Sequence, residues 1–142
     1  MITCPGITSR VIRRHYDLST LFYRLLWGPH IHHGLWDQQE SSRAAQLKLT
    51  ETLADRAGIQ TGDRVYDIGC GMGGSSIHLA RTRNCRVTGV TLSPVQRLWA
   101  ASAARLRRLG DRTDFRCADA EAVELPEGEA DVVWSIECTE HL

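Results

Sequence analysis

The stretch VYDIGCGMGG, Val65 to Gly74, decides how this chain folds. A short apolar run ends around a carboxylate, and four glycines then fall within six residues. Asp63 to Ile68 reads as a β-strand, and the glycines read as a tight turn leaving it. Glycine has no Cβ, so it accepts positive φ and lets a ligand touch the backbone. Gly69 and Gly71 are the expected contact points. Gly73 and Gly74 are expected to let the next helix, Ser75 to about Arg83, pack close to the strand.

The same grammar repeats outward from this turn. Arg86 to Thr91 reads as a second strand. Ser93-Pro94-Val95-Gln96 follows as a helix start, with serine at the N-cap, proline at the first helical position and glutamine at the third. Val95, Leu98, Leu106 and Leu109, with the small Ser102 between them, predict that helix's buried face, and Gly110 closes it. Thr113 to Cys117 is a weaker third strand. Asp131 to Ile136 is a fourth, apolar enough to be buried on both faces. Upstream, Leu21, Phe22, Leu25 and Leu26 recur at helical spacing until Gly28-Pro29. Ala45, Leu49 and Leu53 predict a helix from about Ser42 to Ala57, ended by Gly58. Strands alternating with helices predict a parallel sheet, and right-handed crossovers make it an α/β, Rossmann-like half-sheet.

The chain's 142 residues suit one domain, with 42% hydrophobic and 24% charged residues. Seventeen basic and seventeen acidic residues balance to zero net charge. A general basic field for nucleic acid is therefore missing. Nearly all the positive charge is arginine, Lys48 being the only lysine. No apolar run approaches the ~20 residues that span a bilayer. The five cysteines are odd in number and form no Cys-x-x-Cys pair, so a reducing cytoplasm is the default expectation.

Gly69, Gly71 and Gly74 also satisfy the spacing of a dinucleotide-binding turn. A pyrophosphate there would be held by amides and the helix dipole. Asp67, two residues before the first glycine, would repel it. A ligand carrying an ammonium or sulfonium would instead favour that carboxylate. Asp119, just after strand three, adds a second carboxylate able to accept a hydrogen bond from an adenine amino group; read alone it is an ordinary turn aspartate.

Val65 to Gly74, Val90-Thr-Leu-Ser-Pro-Val-Gln96, Ala118-Asp-Ala120 and Asp131 to Glu137 together resemble the class I S-adenosylmethionine-dependent methyltransferases. The N-terminal segment narrows the likeness. HYDLS with a following FY, from His15, is similar to the cyclopropane fatty acid synthase group. HIHHGLWD (residues 30–37) and GVTLSPVQ (residues 89–96) are similar to γ-tocopherol methyltransferase and its relatives. The resemblance implies a Rossmann-like methyltransferase fold, with N-terminal helices (residues 1–40) as a lid and residues 41–142 as the first half of the catalytic domain. It implies S-adenosyl-L-methionine as cofactor and a small-molecule or lipid methyl acceptor. Gly69, Cys70 and Gly71 would approach the methionine part, supported by Asp67. Thr91, Leu92 and Gln96 would line the ribose and adenine, and Asp119 and Ala120 would bracket the adenine. Tyr16, His33 and Gly34 would lie where the lid meets the cofactor. Many class I members hold the ribose with an acid at the end of strand two, where this chain has Thr91; the Thr-Leu-Ser of the tocopherol and cyclopropane groups matches.

On the acceptor side, Glu137, Glu140 and His141 are the catalytic candidates, at the carboxyl edge of the sheet. The resemblance sets Glu140 against a family acid that helps hold a bicarbonate base, and a structural Glu-His pair at a helix start is the plainer alternative. His30, His32 and His33 are close enough to invite a metal, but lack a fourth ligand at suitable spacing. The family fold continues for three more strands, so this chain is expected to be an N-terminal part of a longer enzyme, without turnover by itself. Strand four would then be an apolar edge open to self-association. Two other classes stay in view: a nicotinamide oxidoreductase domain, and a non-catalytic binding remnant.

Overall fold

The computed structural model describes residues 8–138. Two helices, α1 (Ser9–Leu26) and α2 (Ser42–Arg56), precede the alternating unit β1 (Arg64–Ile68), α3 (Gly74–Thr82), β2 (Arg86–Thr91), α4 (Pro94–Leu106), β3 (Thr113–Cys117) and β4 (Val132–Trp134). The four strands form one sheet in the order β3-β2-β1-β4. All its pairings are parallel, with Val65 opposite both Val87 and Val132. The sheet grows one way from β1 through β2 and β3, then the other way to β4. A crevice therefore opens at the carboxyl end of β1, the usual ligand position in such sheets.

Two apolar clusters hold the sheet and helices together. Val65, Leu79, Val87 and Trp134 anchor one, with Ala54 of α2 and Ile59. Ile77, Ala100, Ala104, Leu109 and Phe115 form the other. The glycine turn is fastened by the amides of Gly69 and Cys70, which both donate to the Val90 carbonyl at 2.9 Å. Gly73, with φ of +75°, caps α3, and a Cβ there would lie 2.8 Å from Ala100 Cβ.

That close approach corrects the expectation for α4. Its buried residues are Gln96, Ala100 and Ala104. Val95, Leu98 and Leu106 point outward, Leu106 being 85% exposed, and Ser102 is exposed as well. Only side chains as small as alanine fit where α4 lies against Gly73 and Phe115, so the larger residues take the outer side. Leu109 is buried as expected, although it lies beyond the helix end. β4 is also corrected. It is three residues long, and while Trp134 is buried, Val133 is 70% exposed. It pairs only with β1, so its outer edge is open among the described residues.

α1 buries only Thr20, while Leu21, Phe22, Leu25 and Leu26 are exposed. It is tied to α4 by the Ser93 hydroxyl, which donates to Asp17 Oδ1 at 2.5 Å. The same Ser93 oxygen accepts from the Gln96 amide at 3.1 Å, capping α4. Among the described residues no helix is long and apolar enough to cross a membrane.

Candidate functional site

All four strand ends feed one cleft. β1 delivers Asp67 and the turn Gly69-Cys70-Gly71; β2 delivers Val90, Thr91 and Leu92; Ala118 to Glu121 follow β3; Trp134, Ile136, Glu137 and Cys138 come from the end of β4. α1 supplies Ser9, Ile12 and Tyr16, and the Pro29 to His32 segment closes the side. The cleft holds about 1000 Å³ of empty space, including its solvent-open mouth.

Asp67 is 3% exposed, and its Oδ2 accepts a 2.5 Å hydrogen bond from Ser76. Burial pushes its carboxyl up to about 6, against the opposing pull of that bond. Such a group gains from a nearby cation, which would stabilise its charged form. The glycines beside it have the conformation a bare-backbone turn requires: φ is +79° at Gly69 and +53° at Gly71. A Cβ at Gly71 would meet nothing closer than Ile31, at 3.7 Å. At Gly69 it would collide with Cys138, 2.3 Å from the sulfur. Burial also raises the Cys70 thiol well above its ordinary value, which keeps it neutral.

The second shelf of the cleft follows β2. Thr91 Oγ1 donates to Gln96 Oε1 at 2.9 Å and accepts from the Ser93 amide at 3.3 Å. This replaces the back-reaching glutamine of a full capping box. Asp119 lines the opposite side with Ala120. Its Oδ1 accepts from the Glu121 amide at 3.1 Å, so it combines the turn role with a place on the cleft wall.

Of the residues singled out in the sequence, Tyr16, Asp67, Gly69, Cys70, Gly71, Thr91, Leu92, Gln96, Asp119, Ala120 and Glu137 all line this cleft. His33 and Gly34 do not. Gly34 instead lies against α2, where a Cβ would fall 2.4 Å from Ala45 Cβ. His33 reaches the cleft through Glu137, to which its backbone amide donates at 3.1 Å and its Nδ1 approaches to 2.9 Å. Glu140 and His141 lie outside the described residues.

Behind that contact is a buried polar chain the sequence did not disclose. His32 Nδ1 faces the His33 carbonyl at 2.7 Å and so carries the proton, leaving Nε2 as the acceptor. That Nε2 faces Ser75 Oγ at 3.3 Å and His30 Nδ1 at 3.2 Å. Gln46 Nε2 donates to the carbonyls of both His30 and His32 at 3.0 Å. Burial, reinforced by the neighbouring His32, lowers His30 to about 3, and burial also lowers His32. Two imidazoles are thus held neutral by desolvation and bonded to each other. Among the described residues no group of three or more His, Cys, Asp or Glu is disposed to hold a metal ion.

Two further residues had no legible signal. Trp134 stands opposite Asp67 in the β1–β4 register, and its buried indole N–H has no hydrogen-bond partner among the described residues. Ser76, which holds Asp67, is one of two adjacent serines with nothing local to distinguish it.

The charge of the cleft is one-sided. Asp67, Asp119, Glu121 and Glu137 line it, and no arginine or lysine does among the described residues. An ammonium, a sulfonium and an adenine amino group suit that lining; a pyrophosphate does not.

The family described as mycolic acid cyclopropane synthetase matches residues 7–142. The tocopherol O-methyltransferase of Arabidopsis thaliana, named as chloroplastic, is 33% identical over 144 residues, covering 92% of this chain and 41% of that protein. The structure of the (4+2)-cyclase SpnF superposes with a TM-score of 0.85 at 37% identity, covering 94% of this chain and 50% of that one. Geranyl diphosphate C-methyltransferase of Streptomyces coelicolor, solved with geranyl diphosphate and S-adenosyl-L-homocysteine, superposes with a TM-score of 0.76 at 25% identity, covering 94% of this chain and 56% of that one. The chain spans about half or less of the length of the curated relatives it matches.

Proposed function

The chain belongs to the mycolic acid cyclopropane synthetase family, and from that premise we propose that it forms the cofactor-binding half of an S-adenosylmethionine-dependent methyltransferase acting on a small-molecule or lipid acceptor. One observation carries the reading: a buried carboxylate at a bare glycine turn, in a cleft whose charged lining is wholly acidic. In this reading Gly69, Cys70 and Gly71 take the methionine part, with Asp67 behind them. Thr91, Leu92 and Gln96 take the ribose, Asp119 and Ala120 the adenine. Residues 1–40 serve as the lid over residues 41–142, with Tyr16 its contact to the cofactor, and His33 and Gly34 shaping the lid from outside the cleft. Cys70, Cys85 and Cys117 carry free thiols, which accords with a cytoplasmic setting.

The bound cofactor supplies an activated methyl group. The chain's own residues then have to orient it, keep water out and, where the acceptor must lose a proton, supply or hold a base. Glu137 is the described residue to which we assign that work; it lines the cleft, and His33 holds its carboxylate. Glu140 and His141, close behind it in sequence, complete the catalytic set we assign.

Isothermal titration of the full-length protein tests the reading. S-adenosyl-L-homocysteine is expected to bind with a Kd in the micromolar range, and NADH not measurably. NADH binding without S-adenosylhomocysteine binding would overturn it in favour of a nicotinamide enzyme.

A second reading, the same cleft serving a reaction other than methyl transfer, draws support from the cyclase name of the structure 37% identical to this chain. Transfer of isotopically labelled methyl from the cofactor to an acceptor pool separates the two.

A further inference from the structure

A second groove lies across the Pro29–His30 segment from the first; Pro29, His30 and Gly74 line both. It runs among the end of α1, the start of α2, α3 and α4, and holds about 1120 Å³ of empty space including its open mouth. Its floor is apolar, with Leu47 and Trp99 among the lining, and Arg24, Arg43, Arg81 and Arg107 stand around it. Among the described residues no aspartate or glutamate lines it. In a chain of zero net charge, this is a local concentration of positive charge, opposite in sign to the lining of the first cleft.

The arginines are also largely uncommitted. Among the described residues, Arg24, Arg43 and Arg81 are exposed and form no ion pair or side-chain hydrogen bond. Arg107 spends one N–H on the Ala103 carbonyl at 2.8 Å. Elsewhere arginines are used internally: Arg83, for example, binds Glu51 and Asp55. Planar guanidinium forks suit oxyanions bound through two oxygens. An apolar floor beneath them suits hydrocarbon removed from water.

We propose that this groove binds an anionic amphiphile, its hydrocarbon chain on the apolar floor and its oxyanion head among the four arginines. The inference is independent of the methyl-transfer reading, since none of these arginines lines the first cleft.

The test uses the full-length protein and dodecyl phosphate below its micellar concentration. Dodecyl maltoside shares the tail without the charge, and inorganic phosphate shares the charge without the tail. Dodecyl phosphate is expected to bind saturably, at least tenfold tighter than either control. The double substitution R43Q/R81Q is expected to weaken dodecyl phosphate at least tenfold while leaving dodecyl maltoside unchanged. R24Q/R107Q serves as an independent pair should the first fail to fold. Equal affinity for the two detergents, equal affinity for inorganic phosphate, or an unaltered Kd for dodecyl phosphate in a folded double variant would each overturn the proposal. The variant arm also separates this groove from any acceptor pocket elsewhere in the protein.

Discussion

Asp67 carries a cost in the empty protein that a cationic ligand can relieve. Its ordinary value of 3.8 is raised to about 6, burial being the cause and the Ser76 bond only a partial offset. Between about pH 4 and pH 6 the folded chain therefore retains a proton that the unfolded chain has lost. Stability falls as pH rises through that window and stays lower above it, by about 3 kcal/mol at ~1.4 kcal/mol per pH unit. Asp67→Asn keeps an acceptor for the Ser76 hydroxyl and removes the buried charge. The ligand-free variant is expected to exceed wild type in stability at pH 8 by up to about 3 kcal/mol, the gap closing toward pH 4. It should also bind S-adenosylhomocysteine at least tenfold more weakly, and wild-type affinity should fall below pH 6 as Asp67 protonates. Urea unfolding at both pH values, with titration of the ligand, checks all three. A wild type as stable as the variant at pH 8 would mean that Asp67 is not held as a strained charge. The part of this site written locally is a carboxylate before a glycine run. Its tertiary partners Ser76, Trp134 and Cys138 arrive from a helix face, a neighbouring strand and a crossing chain, and adjacency in sequence contains none of those.

The strands β1 to β3 and the starts of α2, α3 and α4 were legible to within a residue because their signals are local, whereas the start of α1 at Ser9, well ahead of the helical spacing at Leu21, was not. The valine- and threonine-rich run of β2 and the weaker signal of β3 place both strands at their observed limits, and β1 begins one residue later than expected. Ser93 announces α4 because a serine before proline satisfies an orphan amide of the first turn. What faces inward was less legible. Size alone nominates Leu98 and Leu106 of α4, but the Gly73–Ala100 approach selects for small residues, a constraint belonging to two elements at once. Ser93 shows the same coupling, since its hydroxyl caps α4 and also binds Asp17 of α1. Two substitutions separate the roles. Ser93→Ala is expected to cost about 1 kcal/mol through loss of the cap, and to speed amide exchange in both α4's first turn and α1. Asp17→Ala should speed exchange in α1 alone, leaving α4 protected. Hydrogen–deuterium exchange of the two variants provides the reading, and unchanged α1 protection in Asp17→Ala would show that other contacts hold this helix.

At the scale of the whole molecule, two of the apolar surfaces left uncovered among the described residues bear on association. One is the outer side of α1, where Phe22 is 67% and Leu26 81% exposed. The other is β4, which carries an exposed Val133 and an unpaired edge. An edge strand without a charge or proline to block it offers its free amides and carbonyls to another copy. The 142-residue polypeptide prepared alone is therefore expected to self-associate, with sedimentation coefficients that rise with concentration in the micromolar range. Val133→Lys places a charge on that exposed position without touching Trp134 or the β1 register, which lie on its buried side. It should shift the sedimentation profile toward monomer while leaving the thermal transition in place. If association is instead carried by α1, Val133→Lys will change nothing and Phe22→Glu will disperse the oligomer. The pair of variants thus assigns the contact to one surface, and a wild-type chain that remains monomeric at every concentration would refute the role of both.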